Sequence, residues 1–336
     1  MLKSFDVKDS KGRKDKEKED AQDPYVSDYL RVLQSRAYKR LAYKTQLLCP
    51  PDTPSMRTRE SHTDDVLAIS RRISDALGLN TPLCQAIAAA HDIGHAPYCH
   101  LGESVFSELN GQHKPFSHLD FGVVVAQDIE GLNLTYETLE GILLHSRKDG
   151  KIIPPDCKPQ EYAVIMYADK IAFTFSDLYD AIRYGYLTER DIPHSVGLVA
   201  PGKETGQLVC MGALIEESMK KGFVSFSEGR VFEIFDELRS FLYEGVYSKL
   251  DFSTHKEALR KAYDFIKNAP EFHAVDPVVV LALLTDKELQ ELEIQISATI
   301  KPNVDRIKHF GVFKMLPDLK GRNIDYSNPG LEWGTK

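Results

Sequence analysis

The sequence lacks the features that define several classes of protein. No run approaches the length of a membrane-spanning helix, about 18 consecutive apolar residues, and the longest candidate is Val278–Leu284. Residues 1–20 are highly charged and contain no apolar core, so we expect no secretory signal peptide. The five cysteines are odd in number and form no CxxC pair, which favours free thiols in a reducing compartment. We therefore expect a cytoplasmic protein without a membrane partner.

Positive charge is also scarce. The 336 residues include 42 Lys and Arg against 50 Asp and Glu, which gives a net charge of −8. Such a surface does not attract nucleic acid or acidic membranes over its bulk, so an anionic ligand needs a locally basic pocket. The hydrophobic content of 42% and the charged content of 27% are those of a globular protein with a sizeable core.

Helical periodicity dominates the chain, and convincing strands are few. The segment "SHTDDVLAISRRISDALGL" (61–79) is an amphipathic helix that Ser61 or Thr63 can cap and that Gly78 ends. An Ala-rich helix follows in "TPLCQAIAAAHDIG" (81–94). The prediction is an all-α, mostly helical fold with minor short strands in 206–211 and 222–235.

Histidine and aspartate concentrate where an apolar helix ends. In "AIAAAHDIGHAPYCHLGE" (86–103), His91 and Asp92 directly follow an Ala/Ile run. Imidazole and carboxylate together bind divalent Mn, Fe, Co, Ni or Zn. Further ligands can come from His62 and from Asp169, an acidic residue at the apolar centre of "IMYADKIAF" (165–173). Any single one of these histidines can equally be a hydrogen-bonded core residue, but the whole set, in the order H…HD…D, favours a metal site.

This order resembles the HD-domain superfamily of metal-dependent phosphohydrolases. The blocks "RTRESHTDDV", "HDIGHAPYCHLGE", "FSHLDFG", "ADKIAFTFSDLYDAIRYG" and "LRSFLYEGVY" are similar, in order, to those of the deoxyguanosine triphosphate triphosphohydrolase-like family. The resemblance implies an HD-domain fold with one divalent ion (Mn, Fe, Co, Ni, Zn or Mg) held by His62, His91, Asp92 and Asp169. It also implies hydrolysis of dNTPs, dGTP among them, to deoxynucleoside and triphosphate, with Mg on the substrate's triphosphate.

The resemblance extends to residues that would bind the substrate. It implies phosphate contacts from Arg59, Lys170 and Arg239, and contacts of Gln46 and Asp177 with the 3'-hydroxyl. Arg239, Tyr243 and Tyr247 are spaced by four, so they share one helix face, for which core packing is the alternative. The two tyrosines would lie over the triphosphate and sugar, with Tyr247 excluding ribose. Phe173 stands where the family often has Tyr, which removes one phosphate hydrogen bond.

The resemblance also suggests an acid for the reaction. His100 would protonate the leaving 5'-oxygen or assist attack, with Glu103 orienting it. The resemblance implies that His95 also takes part in catalysis. His95 and His118 would donate hydrogen bonds to phosphate oxygens. The alternative is that His95 and His100 only fix the loop through hydrogen bonds.

Three segments are expected: a disordered tail over 1–23, the HD-domain catalytic core over 24–250, and a C-terminal helical region over 251–336 that serves in oligomerisation. The partners implied are a dNTP and further copies of the chain, in a dimer-based tetramer or hexamer, with single-stranded DNA or a nucleotide as candidate effector. Two other functions remain open at this point. One is an HD phosphohydrolase acting on nucleoside monophosphates or alarmones, and the other is a non-catalytic nucleotide sensor or single-stranded DNA-binding protein.

Overall fold

The computed structural model describes residues 2–17, 23–46, 57–109, 115–146, 159–199, 202–297 and 307–335. Within these ranges the chain is helical and has no strand, only the isolated bridges Arg13–Thr135 and Thr45–Thr58. None of the described helices is both long and apolar enough to cross a membrane. The α-helices are α1 (Pro24–Gln34), α2 (Arg36–Arg40), α3 (Arg59–Leu77), α4 (Thr81–Ala90), α5 (Cys99–Leu109), α6 (His118–Val124), α7 (Tyr136–Leu144), α8 (Gln160–Arg183), α9 (His194–Val199), α10 (Lys203–Lys221), α11 (Gly229–Gly245), α12 (Ser253–Asn268), α13 (Pro277–Leu283), α14 (Asp286–Ser297) and α15 (Gly311–Leu319).

The all-α prediction is confirmed, but the predicted short strands are wrong. Residues 206–211 lie inside α10, where Gly206, Cys210, Leu214 and Ser218 are buried at intervals of four. That spacing is helical, and it prevails over the local β-propensity of "GQLVCM". Residues 223–228 form a loop, and the rest of the second segment begins α11.

Helices α3, α4 and α8 pack against one another at the centre of the molecule, and α1 covers α4. Their facing side chains form a buried apolar cluster that includes Val66, Ile69, Ile87 and Ile165. The three helices carry the predicted metal ligands, so the core itself brings those residues together.

The ends of α3 and α4 determine where the polar side chains lie. Thr58, rather than Ser61 or Thr63, caps α3: its side chain accepts a hydrogen bond from the Ser61 amide, and the Ser61 side chain accepts one from the Thr58 amide. Gly78 ends the helix in the left-handed conformation, as predicted. Because α3 begins at Arg59, the side chains of Arg59 and His62 lie three residues apart on one helix face.

A glycine lets the turn after α4 approach α6. A Cβ atom at Gly94 would lie 2.3 Å from both the Gly122 nitrogen and the His118 carbonyl oxygen. Since no side chain fits there, glycine is required for this contact. The contact sets the turn that carries His91 and Asp92 against the start of α6, where His118 lies.

The expected disordered tail is wrong for residues 2–17, which pack on the helical core; the rest of that prediction, at residues 1 and 18–22, lies outside the described residues. Leu2 is buried, and Glu137 accepts hydrogen bonds from the Ser10 side chain and the Lys11 amide. Arg13 pairs with Asp28 at 2.5 Å. Asp28 is fully buried and also accepts from the Thr135 amide and hydroxyl. A buried carboxylate needs a cation, and this charge-rich segment supplies one.

We expect Arg13→Ala to destabilise the fold by about 3–5 kcal/mol, because it leaves the Asp28 carboxylate buried without its cation. Chemical denaturation of the variant and the wild type measures the difference. Lys14→Ala is the matched control, because Lys14 is exposed and makes no comparable contact. Equal losses in both variants would show that the segment contributes nothing specific.

The described residues after 250 form helices α12 to α15 and share a core with the helices before them. Residues of α12 to α15 form one buried apolar cluster with residues of α2, α5 and α6, including Leu259, Val279 and Leu316. Arg40 of α2 pairs with Glu288 of α14. The boundary after residue 250 and the role of 251–336 in oligomerisation stay predictions.

Candidate metal centre and catalytic cleft

The four predicted metal ligands meet where α3, α8 and the end of α4 converge. The His62 Nε2 atom lies 3.4 Å from the Nε2 atom of His91 and 3.0 Å from Asp169 Oδ1. Asp92 Oδ2 lies 3.4 Å from His91 Nε2 and 3.9 Å from His62 Nε2. The rings of His62 and His91 lie edge to face, with their centroids 5.4 Å apart and their planes inclined by 63°. His62, His91 and Asp92 thus form a group that could hold a metal ion, and Asp169 adjoins this group through His62.

The donor set fits a divalent cation. His91 Nδ1 lies 2.7 Å from the Ala88 carbonyl oxygen, which can only accept a hydrogen bond, so Nδ1 carries the hydrogen. This leaves the Nε2 lone pair on the side of His62 and Asp92, the usual arrangement of a ligating histidine. Two nitrogen and two oxygen donors suit several first-row metals without selecting one.

The protonation states also suit metal binding. Burial lowers the pKa of His62. Burial alone would raise the pKa of Asp169, but the hydrogen bond and charge of His62 lower it to about 2. Burial likewise opposes ionisation of Asp92, but Arg59 and the neighbouring histidines hold its pKa well below the usual value. Neutral imidazole and ionised carboxylate are the forms that coordinate metals.

Two arginines from the start of α3 surround this cluster. Arg59 Nη1 lies 2.6 Å from Asp92 Oδ2, and Arg59 Nη2 reaches the Gln46 carbonyl at 3.3 Å. Arg57 was not among the predicted site residues: it pairs with Asp177 at 3.1 Å and lies 3.3 Å from His62 Nδ1. No pattern in the sequence indicates a role for Arg57, because its contact with Asp177 forms only when α8 packs against the start of α3.

A second histidine cluster surrounds Glu103. Its Oε1 atom lies 2.7 Å from His118 Nδ1 and 3.4 Å from the Nδ1 atoms of both His95 and His100. The rings of His95 and His118 stack at 3.8 Å with planes only 14° apart. Two rings stacked face to face cannot both direct their in-plane lone pairs at one ion. The four side chains lie close enough together to hold a cation, and the contacts that they make here are those of three imidazoles around one carboxylate.

Glu103 and the histidines around it shift one another's pKa values. Burial alone would raise the pKa of Glu103, but the adjacent histidines lower it well below the usual value. The hydrogen bond and charge of Glu103 raise the pKa of the His100 imidazole. The pKa of His95 is held well below its usual value by burial and by Arg59 and His118. The structure therefore distinguishes His100, which favours the charged form, from neutral His95.

One cleft of about 420 Å³ adjoins both clusters. On its far side the Tyr247 hydroxyl donates to Asp177 Oδ2 at 2.8 Å. Burial raises the pKa of Asp177 to about 6, although Arg57 and Tyr247 oppose the shift. Predicted site residues that line the cleft are Gln46, Arg59, Asp92, His95, His100, His118, Asp169, Lys170, Phe173, Asp177, Arg239, Tyr243 and Tyr247. All of these side chains therefore line one cleft. His62, His91 and Glu103 do not line it but contact residues that do.

His145 also lines the cleft, although the sequence suggested no role for it. Its ring meets the His91 ring edge-on at 5.1 Å and lies 5.4 Å from the His118 ring. Burial, together with the two neighbouring histidines, lowers its pKa to about 3. His145 is therefore a neutral side chain that lies between the two clusters. Its position depends on how α7 packs, so the sequence alone does not reveal this role.

Comparison with known proteins shows the family to which the chain belongs. The HD domain family matches residues 59–174, which include all four residues of the metal cluster. A deoxyguanosinetriphosphate triphosphohydrolase-like protein from Caldanaerobacter subterraneus is 37% identical over 246 residues, 71% of this chain and 70% of that protein. Proteins of the same description from Desulfatibacillum aliphaticivorans (35% over 261 residues, 73% of each chain) and Clostridium tetani (33% over 282 residues, 79% of this chain and 80% of that protein) are also similar.

A solved structure, that of a hypothetical protein from Aquifex aeolicus, has a TM-score of 0.49 and 18% identity, and it covers 81% of this chain and 68% of that one. That likeness is too weak to support an inference. The curated relatives, in contrast, cover more than two thirds of both chains. The chain therefore belongs to the deoxyguanosinetriphosphate triphosphohydrolase-like family of HD-domain, metal-dependent phosphohydrolases.

Proposed function

We propose that the protein hydrolyses deoxynucleoside triphosphates to deoxynucleoside and inorganic triphosphate. The observation that carries the proposal is the lining of the cleft: Arg59, Lys170 and Arg239 share it with carboxylates of the metal cluster. These three cationic side chains balance the carboxylates of Asp92, Asp169 and Asp177 in the same cleft. A divalent cation on the carboxylates would give the cleft the positive charge that a polyanionic substrate requires, in a chain of net charge −8. A cleft of about 420 Å³ is within the usual range for small-molecule sites.

The phosphate chain would lie between the metal cluster and the basic side chains. Arg59 already neutralises Asp92 and still lines the cleft, so it can donate to an α-phosphate oxygen. Lys170 follows Asp169 in α8, and Arg239 of α11 lines the same cleft. Charged donors on both sides would orient the triphosphate for in-line attack on the α-phosphorus. A bound divalent cation would add Lewis acidity at this phosphate.

The leaving group needs a proton. When water attacks the α-phosphorus and the bond to the 5'-oxygen breaks, that oxygen must gain a proton and the water must lose one. His100 is the best donor, because it reaches the cleft and Glu103 favours its charged form. His95 and His118, stacked beside it, would contact phosphate oxygens.

The test is to supply purified protein and Mn²⁺ with each of the four dNTPs and to identify the products. We expect deoxynucleoside and inorganic triphosphate in equal amounts. Monophosphate with pyrophosphate, or no turnover, would contradict the proposal. Faster turnover of a nucleoside monophosphate or a ribonucleotide alarmone would instead favour a different HD phosphohydrolase.

The sugar site gives a prediction about specificity. We propose that Tyr247, held against Asp177, closes the space beside C2' and that Gln46 and Asp177 bind the 3'-hydroxyl. Tyr247→Ala should therefore raise the ratio of kcat/KM for GTP over dGTP by about tenfold or more, because removal of the ring opens the space beside C2', and a pocket wall of this kind rejects an added hydroxyl by about 100-fold. Tyr243→Ala is the control: Tyr243 is 69% exposed at the cleft mouth, and its loss should leave the ratio unchanged. An unchanged ratio in Tyr247→Ala would place the discrimination elsewhere.

A further inference from the structure

The backbone just before His100 adopts a conformation that side chains rarely take. Tyr98 and Cys99 both have φ of 57°, in the left-handed region. Two consecutive residues other than glycine persist there only when their surroundings enforce the conformation. They lie at the start of α5, and the next residue is the proposed proton donor. Whatever holds Tyr98 in place therefore sets the position of His100.

The side chain that holds Tyr98 comes from the C-terminal region. Asp286 is fully buried, and its Oδ1 atom accepts a hydrogen bond from the Tyr98 amide at 2.9 Å. Its Oδ2 atom accepts from the Thr45 amide at 2.7 Å. One carboxylate thus joins two segments that each supply a residue to the cleft, namely His100 from one segment and Gln46 from the other.

Asp286 is not needed to cap its own helix. Thr285 accepts a hydrogen bond from the Glu288 amide through its hydroxyl at 3.2 Å and one from the Leu289 amide through its carbonyl at 2.9 Å. The two Asp286 oxygens are directed at residues far away in sequence. Local helix chemistry therefore does not account for the acid at this position.

Lys44 also links the C-terminal region to the segment that precedes His100. Its buried Nζ atom donates to the Ala282 carbonyl at 3.1 Å and also to the carbonyl of His95. The hairpin of α13 and α14 is thus tied to both ends of the segment from His95 to Tyr98. This hairpin lies outside residues 59–174, which match the HD domain family.

We propose that Asp286 is a positioning residue, through which the α13–α14 hairpin sets the conformation of residues 97–100 and the placement of Gln46. It acts through other residues, because its own side chain does not line the cleft. The roles of His100 and Gln46 rest on the proposed function, whereas the control of the loop by Asp286 does not.

Hydrogen exchange and kinetics of Asp286→Asn test the proposal together. The Asn side chain keeps one acceptor oxygen but turns a donor towards the second amide. We expect peptides covering 43–46 and 95–101 to exchange at least about tenfold faster. With a dNTP we expect kcat to fall by about 10- to 100-fold, since misplacement of a reacting group by about 1 Å has that effect. Binding of Mn²⁺ should be unchanged. Asp286→Ser is the second variant if Asp286→Asn does not fold.

Glu288→Gln is the matched control, because it weakens the Arg40 ion pair two residues away on the same helix without touching the loop. It should lower the thermal midpoint yet leave kcat within twofold of the wild type. Unchanged exchange or kcat in Asp286→Asn overturns the positioning role, as do equal effects in Glu288→Gln. A wild-type protein without dNTP turnover would refute the proposed function alone, and the exchange comparison would then decide the role of Asp286.

Discussion

Asp169→Ala is expected to lose stoichiometric metal and to reduce phosphohydrolase turnover by at least about 10³-fold. The side chain comes from the middle of α8 and lies 3.0 Å from His62 Nε2. It supplies one of the two carboxylates of the cluster, and without it a divalent cation would keep only one anionic ligand. Charge stabilisation by a metal amounts to several kcal/mol, and each 1.36 kcal/mol is about tenfold in rate.

The metal loss has a readout that needs no substrate. A cation that binds only the folded protein stabilises it by about 2.7 kcal/mol at 100 times its Kd. Addition of Mn²⁺ should therefore raise the thermal midpoint of the wild type but not that of Asp169→Ala. Metal analysis of both proteins, purified without chelator, gives the stoichiometry directly.

A matched control distinguishes the loss of metal from a general loss of stability. Asp65→Asn removes a carboxylate that pairs with Lys203 at 2.7 Å, near the surface between α3 and α10. We expect it to retain both the Mn²⁺-induced shift and turnover. If Asp169→Ala kept a full equivalent of metal, the ligand assignment would be wrong.

The metal cluster could be predicted from sequence because its chemistry conflicts with its surroundings. An acidic residue at the centre of an apolar helix, as at Asp169, is unfavourable unless a cation compensates it. Likewise, the Ala-rich α4 ends directly in His91 and Asp92. Binary pattern predicted the helices. The charged residues that violated it, taken with the order H…HD…D and the family resemblance, predicted which side chains form the cluster.

Arg57, His145 and Asp286 could not be found in the same way. Each acts through one or two contacts with residues distant in sequence: Arg57 with Asp177, His145 with His91, and Asp286 with the amides of Thr45 and Tyr98. Their immediate sequence carries no unusual pattern. Tertiary packing alone defines their roles.

Composition was misleading at the N-terminus. A segment rich in Lys and Asp is typical of a solvated tail. Here, however, Asp28, Glu137 and Glu161 are buried and accept hydrogen bonds from residues 5–13. The need to satisfy these buried carboxylates orders the segment, and composition does not record that need.

His100→Ala is expected to lower kcat by about 10²- to 10⁴-fold, the usual contribution of a general acid. The side chain is 73% exposed, so its removal takes away little packing. Metal content and thermal midpoint should therefore stay at wild-type values. The alternative role, fixing the loop, predicts the reverse: a lower midpoint with modest loss of turnover.

The pH dependence distinguishes a proton donor from a passive residue. A general acid works when protonated, so wild-type kcat should fall as pH rises through the pKa of His100, which Glu103 raises. Glu103→Gln removes the charge that favours the imidazolium, so the pKa drops and the fall should begin at lower pH. In His100→Ala this alkaline limb should vanish from the residual activity. An alkaline limb that persists unchanged in His100→Ala would assign the titration to another group, and the leaving 5'-oxygen would then have to take its proton from a different donor in the cleft.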